Sequence, residues 1–118
     1  MSYVSARIRD QVQIPQQGIL SRTLHNDDYL KLVIFGFSAG HELSPHTAPM
    51  PATIQILQGR ARVTLGEETR VLEAGSFVYM PPHINHAIVA ETPLVMLLSL
   101  WKQKCAKSPN ARARILFR

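Results

Sequence analysis

The sequence predicts an all-β domain, a sandwich, jelly roll or barrel built from about nine short strands. Three observations lead there. Hydrophobic periodicity runs in short stretches broken by Gly, Pro, Asn and Asp. No segment sustains the 3.6-residue repeat of a long amphipathic helix. The 118-residue length suits one domain with one core.

The strands follow in order. Gly18 to His25 reads as the first, the cluster Asn26-Asp27-Asp28 as a turn, and Tyr29 to Phe37, rich in Val, Ile and Phe, as the second; the two are expected to pair as a hairpin. Gly40 opens a segment that ends near His46, after which Pro45, Pro49 and Pro51 force a loop short of backbone donors. Thr53 to Leu57, Arg60 to Leu65 and Thr69 to Leu72 form three strands separated by Gly59 and by Gly66-Glu67-Glu68. The middle one alternates Arg60, Arg62 and Thr64 with Ala61, Val63 and Leu65, so one of its faces is wet. Phe77 to Met80 is stopped by Pro81-Pro82, His86 to Ala90 makes another strand, and Leu94 to Trp101 is apolar at nearly every position. Such a run implies burial on both faces or a subunit interface. Beyond Lys102 the strand pattern is lost, and Ser108-Pro109 suits the start of a short helix over Asn110 to Phe117. The expected organisation is an arm over residues 1–17, a barrel over 18–101 and a C-terminal segment over 102–118.

Composition narrows the function classes. With 46% hydrophobic and 18% charged residues, the chain can bury a core and is not a disordered tail. Its formal charge of +5 invites a nucleic-acid reading. By position, however, residues up to Leu100 carry seven basic and eight acidic side chains, whereas the rest carry six basic and none acidic. The excess is a basic tail on a near-neutral body, without aromatic interleaving or a helix-turn-helix segment, which disfavours nucleic acid as a partner. Cys105 is the only cysteine, so no internal disulfide is available, and although Lys102, Lys104 and Lys107 flank it, no pattern pairs it with a histidine. No apolar run has the length of a signal peptide or a membrane span, and the expectation is a cytoplasmic protein without membrane partners.

Four of the five histidines fall in two windows, His41 and His46, then His83 and His86, both beside strands. Imidazole is the commonest metal ligand and the side chain that titrates nearest neutral pH, so the windows suggest a metal or an acid–base pair. The plainer readings are exposed or capping histidines for His41 and His83, and hydrogen-bonded remnants in an apolar pocket for His46 and His86. Gly40, Gly59 and Gly75 read as turn formers rather than phosphate binders, since no glycine-rich loop opens a helix.

These windows resemble the two motifs of the cupin superfamily, G-x5-H-x-H-x3,4-E-x6-G and G-x5-P-x-G-x2-H-x3-N. In the first, Gly40, His46 and Gly59 keep the frame, while Ala48 stands at the second His and Ala52 at the Glu. In the second, Gly75, Pro81 and His86 are kept, while His83 replaces the Gly and Ala90 the Asn. The motifs span residues 40–90, and the resemblance extends from Gly18 to Trp101.

The resemblance implies a double-stranded β-helix of the RmlC-like jelly-roll type, a homodimer whose N-terminal strands exchange between subunits, and a ligand site in the barrel. That site would be lined by His46, Ala48, Ala52, Ile54, Ile56 and His86. The family's metal is held by three His and one Glu; here His46 and His86 alone stand at ligand positions, with His83 or His41 as weaker reserves. The cofactor is then one divalent Zn, Ni, Mn or Fe, or none. Gln55, by strand alternation, would face outward and not replace the missing Glu. Two functions stay open: a small-molecule-binding barrel with weak or absent metal binding, and a metal-dependent enzyme of the dioxygenase or isomerase type with a reduced ligand set.

Overall fold

The computed structural model describes residues 3–102, with the backbone alone at Pro45 and His46. The expected helix over Asn110 to Phe117, Cys105 and the basic segment past Lys102 lie outside the described residues. Among the described residues nine strands form: β1 (Ile19–Asn26), β2 (Leu30–Phe37), β3 (Glu42–His46), β4 (Ala52–Gln58), β5 (Arg60–Leu65), β6 (Glu68–Glu73), β7 (Phe77–Met80), β8 (His86–Ala90) and β9 (Leu94–Trp101). One 3-10 turn, Ile8–Gln11, precedes them. The strands make two antiparallel sheets, β1-β2-β9-β4-β7 and β3-β8-β5-β6, and from β2 onward the chain passes from one sheet to the other at every connection except the β5–β6 hairpin. Among the described residues no helix is long and apolar enough to cross a membrane.

The core lies between the sheets and follows from period-two alternation. On β4, Ala52, Ile54 and Ile56 are buried while Gln55 is exposed. On β5, Ala61 and Val63 are buried while Arg60 and Arg62 face water. There Glu91 Oε1 accepts from Arg60 Nε at 2.8 Å and Oε2 from Arg62 Nη2 at 2.7 Å. These bonds, Arg60's first, hold the Glu91 carboxyl below its usual range. Phe37, Ile88, Leu94 and Met96 complete the apolar cluster. Each such side chain, fully buried, contributes about 1.5–3 kcal/mol.

The doubly apolar β9 has a specific cause. It is a central strand, paired with β2 on one side and β4 on the other. On one face Leu94 and Met96 enter the core; on the other, Val95 stands opposite Gly36. That outer face is covered by the N-terminal arm, so close that a Cβ on Gly36 would lie 2.8 Å from the Gln13 carbonyl oxygen. Val95 and Ile34 are therefore buried outside the barrel as well. Among the described residues of the arm, Gln13 and Ile14 lie directly against the sheet at Gly36.

The β1–β2 turn is held by Asp27. Its Oδ1 accepts from the Tyr29 and Leu30 amides at 2.8 and 2.9 Å, and its Oδ2 lies 2.7 Å from His25 Nε2. Lys102 Nζ donates to Asn26 Oδ1 and to the Asp27 carbonyl, which ties the end of β9 to the same turn. The His25 bond first, then the two amides, lower the Asp27 carboxyl to about 2. A depressed carboxyl stabilises the fold above its unfolded-state value and loses that contribution as pH falls through the folded one. Acid destabilisation assignable to this turn is thus expected between about pH 4 and pH 2. Thermal melts of Asp27→Asn across that range should lack this component; a melt-versus-pH curve parallel to that of the parent would refute it.

Candidate functional site

The site sits at the end of the barrel where β3 and β8 meet the β3–β4 and β7–β8 loops. β3 is an edge strand, and its pairing with β8 slips between Leu43 and His46. Leu43 opposes Ile88, and His46 opposes His86, so three residues on β3 match two on β8. This is a bulge. Pro45 falls inside it, at an edge and out of register, where its missing amide donor breaks no ladder bond. Without the extra residue Pro45 would take the place opposite His86. The bulge thus sets positions 46 and 86 across from one another on the same sheet.

His86 is 7% exposed. Its Nδ1 lies 3.2 Å from the Ile84 carbonyl oxygen. A carbonyl only accepts, so Nδ1 carries the proton and donates, and in the neutral ring Nε2 holds the lone pair. The same arrangement orients histidines that bind metals or ligands through the other nitrogen.

Beside His86 opens a cavity of about 140 Å³, lined by Ala48, Met50, Ala52, Met80, Pro81, Ile84, His86, Leu98 and Leu100. Among these described residues His86 alone has a strongly polar side chain. Ala48 and Ala52 line the cavity as the motif frame implies. Ile54 and Ile56 point inward as alternation predicts, but both are fully enclosed in the core and are not among the lining residues. The wall is built instead by residues absent from the sequence-based site. Leu98 and Leu100 continue the inward set of β9, and Leu100 and Met80 both stand opposite Ala52 in the ladders. That alternation was a usable signal; Met50, in the Pro-rich loop, offers none.

The remaining histidines divide. His41 is half-buried, its Nε2 3.3 Å from Gln17 Oε1. Its carbonyl accepts from the Ala90 amide, four residues along β8 from His86 and hence about 13 Å away. The structure does not bring it to the cavity. His83 is exposed in the β7–β8 loop between two cavity-lining residues, Pro81 and Ile84. Its amide donates to the Ala48 carbonyl at 2.7 Å, joining the two loops over the cavity.

The donor set does not fit the family's divalent metal. Among the described residues no group of three or more His, Cys, Asp or Glu is placed to hold an ion. Ala48 and Ala52, where a His and a Glu would stand, have no side-chain donor atoms, and among the described residues no carboxylate lines the cavity to offset a divalent charge.

Two facing antiparallel sheets with crossovers between them, open at one end into a small cavity, define a jelly-roll barrel. The cupin domain family profile matches residues 33–101. The chain belongs to the cupin family. Among solved structures it is similar to the SPY1581 protein of unknown function from Streptococcus pyogenes, at 33% identity over 86% of this chain and 96% of that one, with a TM-score of 0.78. It is also similar to KdgF from Halomonas sp., at 28% identity over 75% of this chain and 84% of that one, TM-score 0.65. Salicylate 1,2-dioxygenase from Pseudoaminobacter salicylatoxidans shares the fold at 20% identity and a TM-score of 0.67, over 70% of this chain and 25% of that one. No curated protein matches by sequence.

Proposed function

We propose that this cupin is a small-molecule-binding barrel whose ligand occupies the cavity beside His86 without needing a divalent metal. The observation that carries this reading is the lining itself: alanines at two ligand positions widen an apolar cavity whose one strongly polar side chain, among the described residues, is the buried imidazole of His86. At about 140 Å³ the space is close to an apolar cavity of about 150 Å³ that admits benzene. A ligand body of roughly one six-membered ring therefore fits.

Ala52 is 3% exposed and lines the cavity. Ala52→Leu should fill the space while keeping the wall apolar. Calorimetric titration with ethylbenzene is expected to show binding by the parent and a loss of about tenfold or more in the variant. Equal binding by both would place the ligand elsewhere.

The second reading, a metal-dependent reaction with a reduced ligand set, is favoured by one observation, the placing of His46 opposite His86 in the ladder. Metal analysis of untagged protein separates the two. About one tightly held transition metal per chain, lost together with ligand binding on chelation, would overturn the metal-free reading.

A further inference from the structure

We propose that His83 is a ligand-recognition residue at the cavity mouth, where its imidazole donates a hydrogen bond to a carboxylate on a ligand whose apolar body fills the cavity. The proposal rests on the reading of the cavity as a small-molecule site.

His83 has φ of 70°, the one non-glycine residue with positive φ among the described residues. An L side chain in the left-handed region brings its Cβ too close to the following carbonyl oxygen, so most residues avoid it. At the five other described positions with positive φ the chain uses glycine, which bears no such cost. The cupin motif places glycine at this position too. His83 is therefore the exception to a rule the chain otherwise keeps, and strain of this kind concentrates at functional sites.

Its surroundings indicate which function. The backbone of His83 is pinned by the bond from its amide to the Ala48 carbonyl, and Ala48 lines the cavity. Pro81 and Ile84 on either side of it line the cavity as well. The side chain is exposed and does not line the cavity, while its backbone is held beside the lining residues. A cavity of about 140 Å³ is filled by one ring, and a polar substituent must leave through the mouth. Pro81 and Pro82 have no side-chain or amide donor to offer there. Between them and the Ile84 wall, His83 is the side chain that carries an N–H, and a carboxylate oxygen is the acceptor that gains most from it.

The test compares phenylacetate with ethylbenzene, a matched pair differing in the carboxylate, by calorimetric titration of the parent, His83→Gly and His83→Asn. His83→Gly removes the imidazole and suits the backbone conformation. It should weaken phenylacetate about tenfold, leave ethylbenzene within about twofold, and keep or raise the melting temperature. Asn tolerates the left-handed region and retains an N–H donor, so it should recover most of the lost affinity. Unchanged phenylacetate binding by His83→Gly would overturn the proposal and leave the cavity reading standing. Parallel losses for both ligands would assign His83 to holding the loops and overturn it equally. If the parent binds neither probe, the cavity reading itself falls and the proposal with it.

Discussion

Replacing Gly59 with alanine is expected to cost about 3 kcal/mol or more and to lower the melting temperature by about 12 °C or more for a domain of this size. Gly59 is the single residue between β4 and β5, where the chain leaves one sheet for the other. Its φ is 88°, and a Cβ there would lie 2.1 Å from the Pro93 carbonyl oxygen and 2.9 Å from Thr92 Oγ1. The Pro93 contact is with backbone, which cannot swing aside. The turn it belongs to is already bonded to the same corner: the Glu91 amide donates to the Arg60 carbonyl, and the Arg60 amide to Thr92 Oγ1. Gly75 provides the control, since its φ is 93° but nothing lies within 4 Å of the added Cβ. Gly75→Ala should therefore cost only the conformational part, about 1–2 kcal/mol. Urea unfolding of both variants separates crowding from backbone preference, and equal losses at the two sites would show that crowding contributes nothing at Gly59.

The contrast bears on what a sequence can reveal. Both glycines read as turn formers from their place between strands, and the strands were legible from short apolar stretches between turn residues, β5 by its alternation and β9 by its unbroken apolar run. The hairpin of β1 and β2 was legible from Asn26-Asp27-Asp28. What lay beyond the pattern was non-local. Nothing in the sequence near Gly59 says that Pro93 will arrive there. Nothing near Gly36 says that Gln13 will cover it, which is why β9 left burial and a subunit interface equally open.

The site divides in the same way. His46 and His86 were found as a pair because motif spacing encodes them, and Ala48 and Ala52 because the same frame exposes what is missing. Ile54 and Ile56 were assigned to the lining on facing alone, yet facing inward and bordering a cavity are different properties. Ile54 and Ile56 are fully enclosed in the core, whereas Ala52, at the start of the same strand, borders the cavity. Met50, Met80, Ile84, Leu98 and Leu100 complete the wall through contacts between four chain segments, a convergence that periodicity does not encode. The bulge before His46 is also invisible to a letter-by-letter match, though it is what brings His46 across from His86.

Restoring the two lost donors is expected to convert the cavity into a metal site. In Ala48→His/Ala52→Glu, the new side chains start from positions that both line the cavity with His86, and His46 stands across from His86 in the ladder. Without metal, a glutamate at a position 3% exposed, among Met80 and Leu100, is a desolvated carboxylate in an apolar wall, so the variant should be less stable than the parent. Adding Ni²⁺ or Zn²⁺ gives that charge its partner. At a hundredfold excess over the dissociation constant, binding to the folded state alone stabilises by about 2.7 kcal/mol, a rise of about 10–20 °C in melting temperature. The parent, with alanines at both positions, should show no comparable response. His46→Ala in the double variant should abolish the rise, because it removes one of four donors. If the double variant melts alike with and without metal, or if the His46 replacement leaves its metal response intact, then the ladder does not bring these four positions around one point, and the alanines are not what sets this barrel apart from the three-His, one-Glu motif.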